Sequence, residues 1–257
     1  MFFVDEPYIS DLFKTTLRDN AIPVVATPAA GRLGLLPGPN WISEARAVEL
    51  ARTQDDLRIY TSSENSIGWI AQHLAFSDLP EKIELFKNKA RFRELTRPLH
   101  PDFFYKEVAV EDLQNIQVND LPLPFIIKPT AGFFSMGVHK VSDPADWPGT
   151  LAAIQAEISQ IKGLYPQEVL NIHSFIIEEC IEGDEFALDA YLDSDGHPVI
   201  LSIYHHTFSS AQDVGDRVYT TSRAIIEHNL AEFTAFVGEM GRLGGVRNFP
   251  MHIELRR

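Results

Sequence analysis

Apolar positions in the first eighty residues alternate between short runs and helical spacing. Residues 2–4, 22–26 and 58–61 read as strands. Ile9, Leu12, Phe13 and Leu17 fall at i, i+3, i+4 and i+8 around Ser10, whose hydroxyl can accept an orphan amide of a first turn. Ser43 opens a second helix carrying Ala45 and Val48, and Ile67, Ile70, Ala71 and Leu74 stripe a third. Short strands separated by helices predict βαβ units on a parallel sheet. The Gly/Pro-rich AAGRLGLLPGPN at 29–40 reads as a loop.

Beyond residue 80 the pattern changes. PEKIELFKNKARFREL (80–95) reads as basic and helical, and residues 100–124 as a Pro-bounded connection. FIIKPTAGFFSMGVHKV holds two β-like runs, 125–128 and 137–141, joined by small residues. A helix is expected over 146–162 and a strand over 174–179. Alternation at Phe186, Leu188, Ala190 and Leu192, a DSDG turn and the run 198–204 predict an antiparallel hairpin. A helix over 227–240 and a closing strand, FPMHIEL, complete an α/β chain without internal repeats.

Composition narrows the function classes. The 257 residues carry a net charge of −14, so the long-range field repels nucleic acid and anionic lipid. No apolar stretch approaches the roughly 20 residues that span a bilayer. Cys180 is the only cysteine, which excludes an internal disulfide and a cysteine-based metal site and fits a reducing cytoplasm. GxxxxGK[ST] is absent, and no GxGxxG follows the first strand, so the two familiar phosphate loops are excluded.

Local chemistry concentrates in three places. Lys128 interrupts an apolar strand, where an ammonium requires an anionic partner, and Gly132, Ser135 and Gly137 follow it with residues small enough for amides to approach phosphate oxygens. Glu178 ends a β-branched run and Glu185 lies seven residues later. On the closing strand, His252 and Glu254 share a polar face. The stretch YHHTFSSAQDVGDRVYTTS, which contains His205, His206 and Arg217, reads as a polar segment between a strand and a helix.

Taken in order, NKARFREL at 88–95, FIIKPTAGFFSMGV at 125–138 and FIIEECIEGDEF at 175–186 resemble the ATP-grasp superfamily, whose pattern runs lysine, KP with a glycine loop, then E-x6-E. The resemblance implies a Rossmann-like first domain (1–86) and an ATP-grasp domain (87–257). The latter would comprise an α+β lid subdomain (about 122–180) and an antiparallel C-terminal subdomain (181–257). It implies that Lys89 and Lys128 hold nucleotide phosphates under a loop of Gly132, Ser135 and Gly137. Glu178 would contact the adenine amino group, the backbone of Cys180 and Ile181 would pair with the adenine edge, and Glu185 would accept the ribose hydroxyls. Arg217 would add a third cation, unless its segment is merely a solvated loop, and Glu254 would hold Mg²⁺. The implied reaction is ATP-dependent joining of a small-molecule carboxylate to an amine through an acyl phosphate. A non-catalytic nucleotide-binding or interaction module is the alternative. In the superfamily a further strand with an E-x-N pair follows about a dozen residues on, past Arg257 here, so the C-terminal subdomain is expected to be incomplete. Its open sheet edge leaves a homo-oligomer as one way of covering it.

Overall fold

Among the described residues, the first part of the chain runs β1 (Phe2–Phe3), α1 (Asp11–Asp19), β2 (Pro23–Val25), α2 (Pro28–Arg32), β3 (Asn40–Ile42), α3 (Glu44–Thr53), β4 (Tyr60–Thr61) and α4 (Ser66–His73). The strands run parallel in the order β3-β2-β1-β4, with Phe2 opposite both Val24 and Tyr60. Both faces are apolar, as a sheet covered by helices on two sides demands. Phe2, Val4 and Val24 pack with Ile9 and Leu17, while Phe3 and Val25 pack with Ala47 and Trp69. The stretch 29–40, expected to be a loop, contains most of α2 and ends in β3. The reason is local: the Thr27 hydroxyl accepts the Ala30 amide at 3.1 Å, and Pro28 presets the first turn.

The computed structural model describes residues 1–35, 38–132, 137–161, 171–208 and 218–257. Within it the chain divides into two units, Met1–Glu81 and Lys82–Arg257. Among the described residues no helix is long and apolar enough to cross a membrane.

The passage between the units lies in α5 (Leu79–Lys87), which is followed by α6 (Lys89–Thr96). Residues 80–95 are therefore two helices and not one continuous run. Asn88 separates them: its backbone is extended and its Oδ1 accepts the amides of Ala90 and Arg91 at 3.0 and 3.2 Å.

Next come β5 (Tyr105–Ala109), β6 (Phe125–Ala131), β7 (His139–Val141), α7 (Trp147–Ile161) and β8 (Asn171–Glu179), forming an antiparallel sheet in the order β5-β8-β6-β7. β5 lies inside what read as connection, because only Val108 of its five residues is fully buried and no apolar alternation marks it. One face of this sheet buries Phe125, Ile127, Phe175 and Ile177 with Trp147 and Ile154. The opposite face carries Lys128 beside Ile176, and Glu178 one pair further along.

The second sheet of this unit takes β9 (Glu185–Leu192), β10 (Pro198–Thr207), β11 (Val218–Thr220) and β12 (Phe249–Arg256) in the order β11-β10-β9-β12, with α8 (Arg223–Gly244) against it. Phe186, Leu188 and Ile203 pack on Phe233. Gly241 brings α8 onto β9, since a Cβ there would stand 2.5 Å from Leu192 Cδ1. The face away from α8 is polar and ordered in cross-strand rows: His206, Glu185 and Arg256; Tyr204, Ala187 and Glu254; Ser202, Asp189 and His252. His205 and His206 belong to β10, which corrects their reading as part of a segment beyond the strand. The ring of His206 is buried and stacks on Tyr219 at 4.4 Å, an aromatic contact across β10 and β11 that the polar letters of the sequence conceal.

Candidate functional site

Capping by Asn88 starts α6 at Lys89 and so fixes where that side chain leaves the backbone. The Lys89 ammonium donates to the Gly132 carbonyl at 3.4 Å. Burial, together with the charges of Lys128 and Lys87, lowers its pKa to about 7, against the opposing pull of Glu178 and Glu254. Lys89 and Lys128 are thus close enough to feel each other, and both feel a carboxylate.

Lys128 and Glu178 are diagonal neighbours on one face of the sheet, a spacing long side chains bridge. The Lys128 ammonium stands 2.6 Å from Glu178 Oε1, and the Arg93 guanidinium donates to Glu178 Oε2 at 2.8 Å. The Glu178 side chain is only 4% exposed. Burial pushes its pKa up, but the charges and hydrogen bonds of Lys128 and Arg93 outweigh burial and bring it to about 2. Arg93, one helical turn from Lys89, also lies over the Phe103 ring at 4.6 Å. Arg93 is the residue that sequence reasoning passed over, although its i+4 spacing from Lys89 was the available signal.

Gly132 follows β6 directly. Gly137 takes a left-handed φ of +69°, and a Cβ there would sit 3.0 Å from the Pro129 ring, so the position requires glycine twice over. Ser135 and Arg217 fall outside the described residues.

Cys180 and Ile181 lie in the short link from β8 to β9. The Cys180 amide donates to the Pro124 carbonyl at 3.3 Å, and Ile181 is 37% exposed. The link closes at Gly183, whose φ of +104° and a Cβ distance of 2.4 Å from the Arg257 carbonyl oxygen leave no room for a side chain.

Glu185 opens β9 with its side chain 18% exposed. Its Oε1 lies 2.7 Å from His206 Nδ1, and its Oε2 accepts Arg256 Nε at 3.0 Å. Glu254 is exposed in the next row, opposite Ala187. Hard carboxylate oxygen suits Mg²⁺, and Glu254 offers it on this face, within electrostatic reach of Lys89, while the neighbouring Asp189 meets Ser202 at 2.7 Å and His252 at 2.9 Å. The structure therefore brings Lys89, whose ammonium reaches the Gly132 carbonyl, within electrostatic reach of the Lys128–Glu178 pair, and groups Glu185 and Glu254 on the polar face of the other sheet.

Residues 121–257 match the family model described as ATP-grasp domain. No curated protein sequence matches the chain. Among solved structures, an L-amino acid ligase from Bacillus licheniformis is similar over 99% of this chain and 64% of its own, with 20% identity and a TM-score of 0.63. The biotin carboxylase domain of a 2-oxoglutarate carboxylase from Hydrogenobacter thermophilus, solved with MgADP, ADP and bicarbonate, is similar over 98% and 60%, with 12% identity and a TM-score of 0.61. A biotin carboxylase from Campylobacter jejuni is similar over 98% and 61%, at 11% identity and a TM-score of 0.61. At such identities the likeness concerns the fold, and the chain spans 60 to 64% of the length of these structures.

Proposed function

The chain belongs to the ATP-grasp family, and from that premise we propose that it binds ATP and serves an ADP-forming ligase joining a small-molecule carboxylate to an amine. The observation that carries this reading is the pair Lys89 and Lys128, two ammonium groups close enough to oppose each other's charge, the first donating to the Gly132 carbonyl and the second to Glu178. In the reaction a substrate carboxylate oxygen attacks the γ-phosphorus, ADP leaves, the amine attacks the acyl carbon, and phosphate departs as the amine nitrogen loses its proton. Lys89 and Lys128 neutralise charge on the transferring phosphoryl oxygens, where preorganised cations are worth most. Glu178 and the Cys180–Ile181 backbone face the base and Glu185 the ribose. Glu254 would hold Mg²⁺, which supplies further charge neutralisation on the phosphates. The reading places the reaction in the cytoplasm.

A second reading is nucleotide binding without turnover, in which the same residues hold the nucleotide and no phosphoryl transfer follows. Calorimetric titration with ADP and a non-hydrolysable ATP analogue, with and without Mg²⁺, followed by an ADP-release assay over carboxylate and amine pairs, tests both. Binding strengthened by Mg²⁺ together with ADP release that needs both substrates is expected for the ligase. Binding without release supports the second reading, and no binding overturns both.

A further inference from the structure

The Glu178 carboxylate has two cationic partners, and only one of them belongs to the phosphate-binding pair. A buried carboxylate left without a counter-ion is strongly destabilising. If Lys128 is to turn from Glu178 towards a phosphate, something must remain with Glu178. Arg93 is placed for this: it donates to the other oxygen at 2.8 Å, is backed by Phe103 at 4.6 Å, and sits on the same helix as Lys89. Arginine also keeps its charge in every state of the site.

We propose that Arg93 is a positioning residue that stays as the counter-ion of Glu178, so that Lys128 can exchange its carboxylate partner for a nucleotide phosphate. This inference rests on the nucleotide reading above and deepens it. Without Arg93, Lys128 becomes the one ion-pair partner left to Glu178 among the described residues, and phosphate must compete with a buried one-to-one ion pair. With both Arg93 and the carboxylate charge gone, Lys128 is released again. Gln at 178 keeps an acceptor oxygen for a base amino group while losing the charge.

The test is calorimetric ADP binding to the full chain, with thermal unfolding measured alongside. Arg93→Met is expected to lose about tenfold or more in ADP affinity, equivalent to the loss of one charged hydrogen bond. Adding Glu178→Gln to Arg93→Met is expected to recover most of that loss even though it removes another native contact. Arg93→Lys, which keeps the charge, is expected to stay within about threefold of wild type. A merely structural role for Arg93 would make the double variant no better than Arg93→Met. That result, unchanged affinity in Arg93→Met, or a tenfold loss in folded Arg93→Lys overturns the proposal while the nucleotide reading stands. If Arg93→Met does not fold, the Arg93→Lys comparison decides. A wild-type chain that takes up no ADP overturns the nucleotide reading, and this inference with it.

Discussion

Lys89 sits where burial and two neighbouring ammonium groups oppose its charge, and a pKa of about 7 leaves it half protonated at neutral pH. An arriving phosphate reverses that balance by favouring the charged form. ADP binding at pH 8 is therefore expected to take up a proton, visible as a binding enthalpy that changes with the ionisation enthalpy of the buffer. Lys89→Met should abolish the buffer dependence, and a wild-type enthalpy identical in all buffers would refute the assignment. Glu178 behaves in the opposite sense. Its pKa falls from an ordinary 4.5 to about 2, so its contribution to stability is present above pH 4.5 and is lost as the pH falls towards 2. A shift of that size corresponds to about 3 kcal/mol. Acid unfolding of Glu178→Gln should lack this loss between pH 4.5 and 2, at the cost of lower stability at neutral pH.

Among elements, the break between α5 and α6 matters most, because it sets the origin of Lys89. Asn88→Ala removes a cap that accepts two amides and is expected to cost about 1 kcal/mol. The expected signature is a lower melting temperature together with weaker ADP binding, since the helix start and the lysine move together. An equal fall in melting temperature with intact affinity would separate the cap from the site. At this scale the sequence was readable where periodicity was strong: the parallel unit, the β9–β10 hairpin and the Ser10 and Ser43 caps all follow from spacing. It was unreadable where tertiary contact overrides pattern. Asn88 interrupts a stretch of uniformly good helix formers, β5 pairs with β8 with little apolar alternation, and His206 is buried by aromatic stacking. Lys128, Glu178 and Glu185 stood out in the sequence as candidates, because charges inside or beside apolar strands require partners. Their partner Arg256 did not, since an ion pair across 71 residues leaves no local trace, and Arg93, 85 residues from Glu178, offered only its i+4 spacing from Lys89.

For the whole molecule, the division into two units places every described candidate nucleotide residue in Lys82–Arg257. A fragment comprising residues 79–257, which keeps α5 intact, is expected to bind ADP within about threefold of the full chain. A fragment that folds but does not bind would assign part of the nucleotide affinity to the first unit. The net charge of −14 adds that attraction to ADP must come from the local cations, because the field of the molecule at large opposes it.

The tryptophans offer an optical consequence of this layout. Of the three, Trp41 and Trp69 belong to the first unit, and Trp147 alone lies in the second, edge-on to Phe125 at 6.0 Å. Trp147 is buried beneath the sheet whose other face bears Lys128 and Glu178. With phenylalanine at 41 and 69, the emission spectrum becomes a private channel from that layer. Its quantum yield and wavelength then report on the packing behind the lysines without any attached dye.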